Sequence, residues 1–226
     1  MSGPGAPVLR VVAYSRTPLG DLPATVEAIR ALRPDIAVVL GGPRRLRWRT
    51  RAADLANRLG LVYAAGGEPA LGNLILVGMR VTVPETAHLR YPLVPGRLMQ
   101  GAAVIRACVA GRGVTVVGSR LSRYADERPA QAAALAAELD RWEPPAIVAA
   151  DVGGDGVAWQ TLARGRAAVE DAPPSGDPER AGHIMIFTDP SIEILQHEWV
   201  PLPRARTAPD PGPAMLVELR PRPGNG

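Results

Sequence analysis

Short apolar runs rich in branched residues recur along this chain, and Gly, Pro or charged residues close almost every one. Such runs read as strands buried on both faces. They predict strands at 8–14, 35–40, 61–64, 72–77, 102–109, 114–119, 146–151, 183–188, 192–200 and 214–220. Shorter strands are expected at 80–83 and 89–92. Apolar residues three and four apart predict helices at 23–32, 44–59, 127–142 and 157–164. Asp21 and Asp126 stand where the first and third helices would take an N-cap. The Pro-rich stretches 172–180 and 201–213 read as loops.

Strand–helix–strand occurs twice, over 8–40 and 114–151. Two similar halves with a strand-rich middle favour packed sheets flanked by helices over one alternating, doubly wound sheet. No composition shift marks a linker. A single domain over 8–220 is expected, with flexible ends at 1–7 and 221–226.

Composition narrows the picture. The 226 residues are 46% hydrophobic but only 4% aromatic, so Val, Leu, Ile and Ala must build the core. All 26 basic residues are Arg, which suits a GC-rich genome of the actinobacterial kind. A net charge of +4 permits an anionic partner without demanding one. Cys108 is the only cysteine, which excludes an internal disulfide and a thiolate zinc site. The N-terminus lacks a signal-peptide pattern, and no apolar run reaches the ~18 residues of a membrane span. The cytoplasm is the expected location, with no membrane partner.

The strand ends carry the candidate chemistry. The first run reads Leu9-Arg10-Val11-Val12-Ala13-Tyr14-Ser15. The second is Pro34-Asp35-Ile36-Ala37-Val38-Val39-Leu40-Gly41, and Gly72-Asn73 opens a later strand. Val116-Val117-Gly118-Ser119-Arg120-Leu121 precedes Arg128 and Gln131. Ala150-Asp151-Val152-Gly153 precedes Trp159 and Leu162. Gly182-His183-Ile184 and Asp210-Pro211-Gly212-Pro213 introduce the last strands.

This order of landmarks resembles the endonuclease/exonuclease/phosphatase superfamily over 8–219. The resemblance implies a four-layered α/β sandwich, with two packed and mainly antiparallel sheets flanked by helices. It also implies metal-dependent cleavage of phosphate esters, in which carboxylates hold a hard cation and a His assists attack on phosphorus. In that pattern Ser15 replaces an amide, Gly41 a metal-binding Glu, Arg120 a His and Gly153 a phosphate-holding Asn. Gly182 replaces an Asp, Pro211 another Asp, and Gly212 the catalytic His. Asp151 persists as a vestigial carboxylate. The expected function is therefore that of a pseudoenzyme with a binding or scaffold role. Its partner would be a protein or an anionic ligand, and no cofactor is expected.

Two alternatives keep a place. A phosphoesterase site rebuilt around Asp151 would need Mg²⁺ or Mn²⁺, with Asp155, Asp189 and Asp210 as donors. Nucleic-acid binding without cleavage would use Arg44, Arg45 and Arg47 beside Trp48, together with Arg120, as an anion-binding surface. Helical spacing spreads the first cluster over more than one face, which disfavours that reading. An Arg120–Asp151 ion pair is expected where the resemblance has a His–Asp neighbourhood. His88, His183 and His197 have no metal-ligand spacing.

Overall fold

The computed structural model describes residues 7–15, 23–42, 47–169, 184–203 and 212–222. Strands β1 (Leu9–Ser15), β2 (Ile36–Leu40), β3 (Val62–Gly66), β4 (Leu74–Val77), β11 (Ile192–Val200) and β12 (Ala214–Pro221) form one sheet, in the order β11-β12-β1-β2-β4-β3. Strands β5 (Val81–Arg90), β6 (Gly101–Val109), β7 (Arg112–Arg120), β8 (Ala146–Asp151), β9 (Ala167–Ala168) and β10 (Ile184–Thr188) form the other, in the order β5-β6-β7-β8-β10-β9. Each sheet holds a single parallel pair, β1/β2 and β7/β8, and every other pairing is antiparallel. Helix α1 (Pro23–Ala31) links the first parallel pair and α3 (Arg128–Leu139) the second. The two sheets thus share one wiring scheme, as the repeated strand–helix–strand pattern anticipated.

Three apolar layers hold this arrangement. Alternate residues of the central strands, such as Val11, Val38, Ile105, Val116, Ile147 and Ile186, meet between the sheets. The other faces of the same strands pack against helices. Val12, Val39 and Leu76 lie under α1 and α2 (Trp48–Leu59), while Val117, Val148 and Phe187 lie under α3 and α4 (Gly156–Ala163). Central strands covered on both faces must be continuously apolar, which explains the runs in the sequence. The outcome is the expected four-layered α/β sandwich.

Local chemistry sets the element ends. Helix α2 buries Ala52, Leu55, Ala56 and Leu59, a single face at helical spacing, and stops at Gly60 in the left-handed region. Asp155 caps α4, accepting from the Val157 and Ala158 amides at 3.0 and 2.9 Å. Asp126 does not cap α3. It lies in a 3₁₀ turn (Ala125–Glu127), and its carboxylate pairs with Arg97. The two short strands expected at 80–83 and 89–92 are one edge strand, β5. Pro84 falls where its register shifts, between Thr82 and Glu85, and an edge bulge tolerates the missing N–H. Strand β12 reaches Pro221, one residue past the expected domain end. Asp21 lies outside the described residues.

Candidate functional site

The C-terminal ends of both parallel pairs meet at one pole of the sandwich. Ser15 sits beside Leu40 in the first pair, and Arg120 beside Asp151 in the second. Asn73, just before β4, ties the sheets together at this pole. Its Nδ2 donates to Gly101 O at 2.8 Å and to Ala70 O at 3.0 Å, and Gly101 is the register partner of Arg120. Gly118 of β7 lies directly against Val38 of β2.

Asp151 is 6% exposed at the end of β8. A carboxylate so deeply placed needs charged or donor partners. Arg120 supplies one through Nε, 3.2 Å from Oδ2. The Gly153 amide supplies another, donating to Oδ1 at 3.1 Å. The expected Arg120–Asp151 pair is therefore present, and strand register creates it. Ser15 Oγ and Asn73 Oδ1 are buried at the same pole with no hydrogen-bond partner among the described residues.

Two glycines fix the local backbone. Gly41 follows β2 with φ 72°, and Gly153 follows β8 with φ 58°. Most side chains are strained in that region. At Gly153 space is lacking as well, because an added Cβ would fall 2.7 Å from Arg128 Cζ. That guanidinium is anchored by three carbonyls at 2.8 Å, those of Ser122, Arg123 and Gly153. Sequence reading placed Arg128 in the framework but gave it no such task, since all three acceptors are backbone atoms. Gln131 holds the same loop, accepting from the Ser122 amide at 2.7 Å.

A cationic wall adjoins these groups. Two guanidinium groups lie over the Tyr124 ring, Arg97 at 4.4 Å and Arg123 at 4.9 Å from its centroid. Arg97 also binds Asp126 and Glu127, and this contact holds the Asp126 carboxyl below its usual range. Arg123 and Arg128 have no carboxylate partner among the described residues. Sequence spacing carries no sign of this wall, because residues 97 and 123–128 meet only through the loop after β5.

Other expected positions are distributed differently. Gly212 lies just before β12, whereas Gly182, Pro211, Asp210, Arg44 and Arg45 fall outside the described residues. Arg47 is exposed ahead of α2. Trp48 packs on the first sheet's outer layer beside Tyr63, and Arg49 covers its ring at 5.0 Å. Asp155 is spent on its helix cap. Asp189 neighbours Ala146 at the start of β8, about 16 Å along the strand from Asp151 at ~3.3 Å per residue. Among the described residues no three His, Cys, Asp or Glu side chains are grouped to hold a metal ion. The donors described around Asp151 therefore do not fit a divalent cation of the Mg²⁺ type, which needs a shell of oxygens.

The whole architecture matches solved structures. An endonuclease/exonuclease/phosphatase from Bacteroides vulgatus superposes with a TM-score of 0.75 at 12% identity, covering 96% of this chain and 100% of that one. The chain has the endonuclease/exonuclease/phosphatase fold. The human Nocturnin catalytic domain with bound sulfate shares this fold at a TM-score of 0.72 and 14% identity, covering 94% and 93%. D. rerio TDP2 complexed with a single-strand DNA product gives 0.73 at 12% identity, covering 94% and 99%. No family model matches the sequence. No curated protein matches it either. Within the endonuclease/exonuclease/phosphatase fold, the pole built here from Ser15, Gly41, Arg120, Asp151 and Gly153 is where the sequence resemblance put the chemistry.

Proposed function

We propose that this chain is a non-catalytic protein on a phosphoesterase scaffold, acting by binding an anionic ligand at the pole where the parallel strands end. The observation that carries the reading is the state of Asp151. Its carboxylate is engaged by Arg120 and by the Gly153 amide, while Gly41 offers no second carboxylate. Hydrolysis of a phosphate ester by the fold's metal route needs oxygen ligands around a cation. Arg120 stands against Asp151 instead.

The same groups suit an anion. Arg120 keeps 43% of its side chain exposed while its Nε meets Asp151. Arg123 and Arg128 add charge, with no carboxylate to cancel it among the described residues. Guanidinium groups favour planar, two-point recognition of oxyanions. The Nocturnin and TDP2 structures, with a sulfate and a DNA product respectively, give precedents for anions on this fold. Trp48, already covered by Arg49 and Tyr63, offers no open ring for base stacking, so a small anion is favoured over a nucleic acid strand.

Assays on p-nitrophenyl phosphate and bis(p-nitrophenyl) phosphate with Mg²⁺ or Mn²⁺ test the proposal. The expected rate equals the buffer background. Metal-dependent turnover that Asp151→Ala abolishes would overturn it. Inorganic phosphate should perturb the amide signals of Arg123 and Gly153, and Arg123→Ala should weaken that response.

A further inference from the structure

A groove of about 490 Å³ opens at the opposite pole, where β7 and β8 begin and β12 ends. Its size falls within the ~300–1,000 Å³ typical of small-molecule sites. Arg112, Gly113, Pro144 and Pro145 from one sheet face Ser191, Pro221 and Arg222 from the other. We infer that this groove is a separate binding site for a small organic oxyanion with an apolar body.

The charge arrangement supports that chemistry. Arg112 donates one N–H to Pro221 O at 3.2 Å, which fixes the guanidinium at the groove wall. Arg222 is held through its amide on Ser191 O at 2.8 Å, and its Nη1 reaches Pro190 O at 3.5 Å. Each guanidinium has five donors, so most remain unspent. Neither Arg112 nor Arg222 pairs with a carboxylate among the described residues.

The acids nearby are already engaged. Glu143 pairs with Arg106 at 3.2 Å, and Arg106 packs directly beneath Gly113. Asp189 accepts from the Ser191 amide at 2.9 Å and from its hydroxyl at 2.7 Å. Glu193 pairs with Arg220 at 3.5 Å. Arg112 and Arg222 thus lack anionic partners among the described residues, and an oxyanion between them would supply one.

The rest of the lining decides the body of the ligand. Pro144 and Pro145 present rigid apolar rings that lose no rotamer freedom on binding. A bare inorganic ion would leave that surface wet. An oxyanion with an aromatic or branched apolar group would cover it. The proposal is independent of the strand-end pole and survives if that pole binds nothing.

Titration of the full chain with phenyl phosphate, benzoate and inorganic phosphate, followed by amide NMR, tests it. Phenyl phosphate or benzoate should shift the amides of Gly113, Ser191 and Arg222, with inorganic phosphate at least about tenfold weaker. Arg222→Gln, a change at an exposed side chain, should weaken binding by about tenfold or more. Arg112→Met should do the same, and Arg123→Ala at the far pole should leave it unchanged. Three results would overturn the proposal: no saturable shifts at these amides, equal affinity for inorganic phosphate, or insensitivity to Arg222→Gln. An Arg123-dependent response confined to the far pole would likewise sink it while leaving the proposed function standing.

Discussion

Asp151 is a buried carboxylate held by a guanidinium and a backbone amide. Parallel register puts Arg120 beside it, and a left-handed Gly153 turns its amide back onto Oδ1. Removing the guanidinium leaves a buried charge with fewer donors. Arg120→Ala should therefore cost about 1–2 kcal/mol in urea unfolding, less than a fully buried pair because Arg120 is partly exposed. Unchanged stability would count against the pair. Gly153→Asn should also destabilise the protein, by about 1–2 kcal/mol, through its φ and through displacement of Arg128 from three carbonyls. Tyr91 is held by a hydrogen bond. Its buried hydroxyl meets Ser119 Oγ at 2.6 Å, and burial pushes its pKa well up. Tyr91→Phe should cost about 1 kcal/mol, measurable by the same unfolding curve.

At the scale of elements, caps and walls set the loops around the pole. Asp155 satisfies two free amides of α4, so Asp155→Ala should cost about 1 kcal/mol and raise hydrogen exchange in 156–159. The Arg97 contact with Asp126 and Glu127 holds the loop after β5 against Tyr124. Because Asp126 has a lowered folded pKa, its stabilisation is present above its unfolded value and is lost as pH falls through the folded one. Acid should thus speed hydrogen exchange in 93–98 before the core strands open, and Asp126→Asn should remove that pH dependence. Most elements were legible because buried strands and helices impose different apolar periods. β5 was not, since Pro84 breaks the pattern at a bulge that only its partner strand reveals. Asp126 was misread as a cap because its true partner, Arg97, is distant in sequence.

For the whole molecule, wiring builds the pole. Two strand–helix–strand units bring four strand ends to one pole, and the repeated pattern made that legible from sequence. The resemblance located Ser15, Gly41, Arg120, Asp151 and Gly153 there because strand ends follow from strand positions. The Arg97–Tyr124–Arg123 wall and the groove between Arg112 and Arg222 were not legible, because loops and opposite sheets create them. The proposed function requires that the strand-end pole bind an anion and hold no divalent metal. Titration calorimetry with Mg²⁺ and Mn²⁺, on the native chain and on Asp151→Ala, tests it most directly. The account expects no saturable metal binding in either protein. Saturable binding to the native chain that disappears in Asp151→Ala would contradict it.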